Sequence, residues 1–239
     1  MNACANIALV LPGEAMWGAF QTGFALEFSA QLREAGHGEN PIDLAVGSSS
    51  GSLVATVAAA GSTTDHDLAL RAWTTFGRHT SQKREIARRL VHRDLANLYS
   101  DAVAEIFASG LIDTNRAFES QTAVVATATR FDKAQALAAR STGAHMLRDG
   151  LDFLTGGLPE VDPGHLAEEI ARFLNSSAHI FTPHYFSSKP WPAEHSDPPP
   201  THWLVTEEAE QLELAVKASS RIPFLYGPPI QRGGDTLID

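Results

Sequence analysis

A chain of 239 residues, 44% hydrophobic and 19% charged, has enough apolar material for one large core and lacks the composition of a disordered or fibrous protein. Its 28 acidic and 18 basic residues leave a formal charge of −10, which disfavours general attraction to nucleic acid. A single cysteine, Cys4, excludes an internal disulfide and a thiolate metal cluster, and no segment approaches the roughly 20 apolar residues of a membrane span.

The first predicted element is a buried strand, Ile7 to Leu11, stopped by Pro12 and Gly13. A helix follows from Gly18 to about Ala35, with Phe20, Phe24 and Phe28 one turn apart. A second apolar run, Ile42 to Val46, ends at Gly47 and leads into an alanine-rich helix from Ser50 to Ala60. Strand, helix, strand, helix in that order predicts a parallel sheet with right-handed crossovers. Residues 65–118 read as mostly helical, and Ala123 to Thr127 returns to a strand pattern. Residues 134–180 read as helical, with a break near Gly156-Gly157 and Pro163. Five prolines between Pro190 and Pro200 mark a surface loop. A strand at Trp203 to Val205, a helix from about Gln211 to Ser219 and a turn at Gly233-Gly234 complete the chain. No internal repeat or linker divides it, so one domain over 1–239 is expected.

The most informative segment is Gly47-Ser48-Ser49-Ser50-Gly51, a G-x-S-x-G pattern entered by an apolar strand and left by a helix. That context suits a nucleophile elbow. The serine occupies a tight turn, and the glycines on either side let neighbouring backbone pass without a Cβ clash. The helix behind it directs its positive end toward the hydroxyl. A plain helix cap by Ser48, Ser49 or Ser50 is the alternative for this segment alone.

The segment from Leu11 to Gly23 carries a resemblance. Gly13, Gly18, Ala19, Gln21 and Gly23, with Phe20 as the aromatic, match the opening glycine run and G-A-Y-Q-x-G of the patatin-like phospholipases. Ala218-Ser219-Ser220-Arg221-Ile222-Pro223 resembles that family's A-S-x-A-I-P, and Gly233 to Asp239 resembles the approach to its catalytic aspartate. The resemblance implies a three-layer α/β/α fold around a mainly parallel sheet, and ester hydrolysis by a Ser-Asp dyad without metal or organic cofactor. Ser49 would be the nucleophile and Asp239 the base. Backbone amides of Gly13, Glu14, Ala15 and Ser50 would form the oxyanion hole, with Gly18, Gly47 and Gly51 as motif glycines. An aspartate serves as base if its pKa is raised or the serine is held close, so a partly desolvated site is implied. The expected substrate is a lipid or other acyl ester, with transient contact to a membrane surface. Asp239 is the last residue, where the family continues with glycine, so the domain is expected to be incomplete at that end.

Glu14, Ala15 and Trp17 depart from the family's glycine run and basic residue. They motivate a competing reading, a degenerate member that binds lipid or a protein partner without turnover. A second alternative is an α/β-hydrolase triad in which His184, His195 or His202 serves Ser49. The basic residues Arg78, Lys83, Arg84, Arg88, Arg89 and Arg93 are expected on a solvated helix face, with anionic headgroups as the other use. His92-Arg93-Asp94-Leu95 resembles a kinase catalytic loop but has Tyr99 in place of its asparagine, and it is set aside. Trp17, Trp73, Trp191 and Trp203 are expected in the core rather than on an acyl chain. The ten histidines have no metal-ligand spacing, and no metal is expected. The absence of a signal-like N-terminus points to the cytoplasm, or to its membrane face.

Overall fold

The computed structural model describes residues 7–13, 17–60, 66–81, 98–131, 181–191, 197–220, 230–232 and 235–238. Seven strands form one sheet: β1 (Ala8–Leu11), β2 (Leu44–Ser48), β3 (Ala123–Phe131), β4 (Phe181–Ser187), β5 (Trp203–Val205), β6 (Ile230–Arg232) and β7 (Asp235–Ile238). Six helices are described: α1 (Gly18–Glu34), α2 (Ser50–Ala59), α3 (His66–Ser81), α4 (Leu98–Ala108), α5 (Thr114–Glu119) and α6 (Ala209–Ser219). The sheet is mixed and flanked by helices. Its opening follows the predicted order, with β1 parallel to β2 and β2 parallel to β3. β4 then pairs antiparallel with β3, and β5 runs parallel to β4.

The boundaries moved where pairing overrode apolar pattern. β2 starts at Leu44 and runs through Ser48, two residues later than the run Ile42 to Val46 suggests. Asp43 instead takes the amide of Ile7 on its carboxylate at 2.8 Å, and Ile42 is buried in the core. β3 extends to Phe131 because β4 and β7 offer partners beyond Thr127. Strands β4, β6 and β7 were not foreseen. β6 and β7 are three and four residues long and pair antiparallel with each other.

α2 is buried at every position from Ser50 to Ala59, as expected of a helix apolar on all sides. It packs on β1, β2 and β3, and α6 lies beside it on β3. Ala45, Ala126 and Ala128 are small enough to let these helices approach the sheet closely, and all three are buried. α1 packs on α2 and α3 through Thr22, Ala25, Leu26 and Ser29. Its aromatic row faces outward: Trp17 is 64%, Phe20 69% and Phe24 52% exposed. Core packing therefore fails for Trp17. Trp73 is half-buried, donating from Nε1 to Thr22 Oγ1 at 2.7 Å, and Trp191 meets Trp203 edge to face at 4.9 Å.

No described helix is long and apolar enough to cross a membrane. The helical reading of 134–180 and the kinase-like segment lie outside the described residues. So does the basic cluster except Arg78, which is exposed near the end of α3.

Candidate active site

Ser49 sits between the end of β2 and the start of α2, with φ 52° and ψ −126°. Non-glycine residues avoid this region, at a cost of about 1–3 kcal/mol, and such strain persists only where surrounding contacts enforce it. Those contacts are visible. The Ser49 amide donates to Ser219 Oγ on α6 at 2.8 Å. Its carbonyl accepts from the Ser52 amide at 3.0 Å and from Ser52 Oγ at 2.6 Å. The turn is thus held from α6 on one side and by the first turn of α2 on the other. Ser50, the first residue of α2, is buried, and its amide lies at the positive end of that helix.

The motif glycines are explained by close approach. A Cβ at Gly47 would lie 2.2 Å from the Gly51 oxygen, and one at Gly51 would lie 2.1 Å from the Leu11 oxygen. A Cβ at Gly13 would lie 2.5 Å from Ser49 Cβ. The end of β1 therefore crosses directly over the elbow, and Gly13 touches the candidate nucleophile. Gly18 has a different reason: a Cβ there would strike the Trp73 ring at 2.2 Å. Gln21 ties α1 to this loop, donating from Nε2 to the Pro12 carbonyl at 3.1 Å.

The structure therefore brings Gly13, Gly47, Ser49, Ser50 and Gly51 together around one turn. Ser49 retains 7% exposure. Glu14, Ala15 and Asp239 lie outside the described residues. The residue before Asp239 is placed. Ile238 pairs with Thr129 of β3, while Ser48 pairs with Thr127. Since β4 lines the other edge of β3 from Val125 to Phe131, β7 and β2 share one edge, separated by the register of Ala128. Two strand residues span about 7 Å, so the end of β7 abuts the end of β2.

The histidines of the triad alternative are not at this turn. His184 on β4 is in register with Ala128, one strand beyond β3, and its ring stacks on His202 at 4.8 Å. Neither ring hydrogen-bonds Ser49 among the described residues, and His195 lies outside them. No group of three or more metal-ligating side chains occurs among the described residues. Ser219 was quoted in a sequence motif, but its bond to the Ser49 amide joins positions 170 apart and has no local sequence signal. A family model described as patatin-like phospholipase matches residues 9–239 of the chain. No curated protein and no solved structure matches it.

Proposed function

The chain belongs to the patatin-like phospholipase family, and from that footing we propose that it hydrolyses acyl esters of lipids through Ser49 and Asp239. The observation that carries this reading is the backbone of Ser49, a strained non-glycine turn at the carboxyl end of a parallel strand with Gly13 packed against it. The adjacency of Ile238 to the end of β2 supports Asp239 as partner, because a trans peptide step is only about 3.8 Å.

In the proposed reaction, the Asp239 carboxylate takes the Ser49 hydroxyl proton as Oγ adds to the ester carbonyl. The tetrahedral oxyanion is held by amides of the loop after β1, Gly13, Glu14 and Ala15, together with Ser50 at the head of α2. Collapse breaks the bond to the alcohol, which leaves with the proton from Asp239. Water then adds to the acyl-Ser49 ester with Asp239 again as base, releasing the carboxylic acid. The steps use only the chain's own groups and water.

A fluorophosphonate probe and a p-nitrophenyl ester series test this. Labelling is expected in the parent chain and absent in Ser49→Ala, with ester turnover down about a thousandfold or more in both Ser49→Ala and Asp239→Asn. Hydrolysis unchanged in Ser49→Ala would sink the proposal. The second reading, lipid binding without turnover, has the 7% exposure of Ser49 in its favour. It predicts no labelling in the parent chain.

A further inference from the structure

The side chains between β4 and β6 include buried nitrogens that have no hydrogen-bond partner among the described residues. His184 is 5% exposed, and neither ring nitrogen has a hydrogen-bond partner among the described residues. Two residues along the same strand face, Phe186 lies 6.1 Å from the His184 ring and carries the Arg232 guanidinium 4.6 Å above its own centroid. Arg232 Nη2 donates to Gln211 Oε1 at 3.0 Å, but Nη1 is buried without a partner among the described residues. The neighbouring carboxylate is already engaged, since Asp235 pairs with Arg130 at 2.8 Å. Among the described residues, the titratable groups facing His184 are His202, Asp235, Arg130 and Arg232. Even with both histidines neutral, two arginines face one aspartate among the described residues.

Buried polar nitrogens without partners are costly, more so when charged, and buried charges are as a rule paired. Burial lowers the Arg232 pKa from its usual value. Removal of one side chain would not relieve both groups, whereas one ligand with several acceptor oxygens would. A guanidinium edge matches an oxyanion in shape, and the imidazole adds a further donor. His202, exposed and with φ 68°, stacks on His184.

We propose that His184 and Arg232 form a binding site for a phosphate group, held by Arg232 Nη1 and one His184 ring nitrogen. Its Arg232 end is set apart from the Ser49 turn. Gln211 and Ser219, which touch Arg232 and Ser49 respectively, are eight residues apart on α6, or about 12 Å. A phosphate there lies beyond a carbonyl reacting at Ser49. It belongs to a distal part of a phosphorylated substrate or to free inorganic phosphate.

The test is isothermal titration of the full chain carrying Ser49→Ala, so that binding is read without turnover and independently of the hydrolase proposal. Sodium phosphate, against sodium chloride at matched ionic strength, is expected to give saturable heat at one site per chain. Arg232→Met keeps the stacking volume on Phe186 and should weaken binding about tenfold or more, with Arg232→Lys intermediate. The His184 imidazole resonances, identified by their loss in His184→Gln, should shift on titration even if Arg232→Met does not fold. Absence of saturable heat, an unmoved His184 signal, or equal affinity in a folded Arg232→Met overturns the proposal and leaves a site for water only. A short-chain phosphatidate below its micellar concentration, compared with the matching neutral diacylglycerol, separates the sources. Tighter, Arg232-dependent binding of the phosphatidate assigns the site to substrate, and binding of inorganic phosphate alone assigns it to the free anion.

Discussion

Ser49 and Ser219 show how one hydrogen bond supports a strained residue. The Ser49 amide is buried, and Ser219 Oγ is the acceptor that meets it. Ser219→Ala leaves that donor unsatisfied, so a stability loss of about 1–3 kcal/mol is expected in urea melts. Activity on a soluble ester should fall with it, because the elbow loses the tie that holds its backbone. A melt unchanged from the parent would show that the bond carries no net energy. Gly13→Ala acts on the same turn from the other side. Its methyl would press on Ser49 Cβ from 2.5 Å, and neither backbone can move freely. Overpacking of this kind costs about 1–3 kcal/mol. The variant should fold with a lower Tm and lose more activity than stability, since the contact is with the nucleophile itself.

At the scale of elements, α1 and α2 were both predicted as helices, yet they sit differently in the molecule. α2 is buried on all sides, whereas α1 buries Leu26 and Ala25 and turns Phe20 and Phe24 outward. Leu26→Ala is expected to destabilise by about 2–5 kcal/mol, while Phe20→Ser and Phe24→Ser should each stay within about 0.5 kcal/mol. Chemical melts of the three variants decide this, and equal losses would contradict the orientation of α1. The strand leading to Asp239 offers a different contrast. Arg130 pins β7 to β3 through Asp235, with both side chains more than a third exposed, so the pair adds less than about 1 kcal/mol. Arg130→Gln should barely move Tm. If β7 positions the proposed base, kcat on a p-nitrophenyl ester should nevertheless drop severalfold with KM little changed.

For the whole molecule, His184 makes stability depend on pH. Burial chiefly, and then the neighbouring His202, lower its pKa from the usual histidine range. In the unfolded chain it titrates near 6.5, so as pH falls below about 6.5 the unfolded state takes up a proton that the fold refuses. This contribution is flat above that pH, and stability is lost progressively below it. Thermal melts from pH 8 to pH 5 in phosphate-free buffer should show the decline, and His184→Phe should lessen it. Identical pH profiles for the two proteins would remove His184 as the cause.

Much of the fold was legible in linear order, because its signals are local. β1, α1, α2, β5 and α6 announce themselves by apolar runs or periods and by the glycines and prolines near several of their ends. The spacing of Gly47, Ser49 and Gly51 carried the candidate nucleophile, since a tight turn between strand and helix limits residue types within five positions. Tertiary structure alone decided the rest. β7 exists because β3 offers it an edge, and β6 because it pairs with β7. β4 holds Pro183 and His184 and is a strand by virtue of its ladder with β3. The outward turn of the α1 aromatics, the bond from Ser219 to Ser49 and the meeting of His184 with Arg232 all join distant parts of the chain. Such contacts follow from how the elements pack, and nothing in local spacing records that.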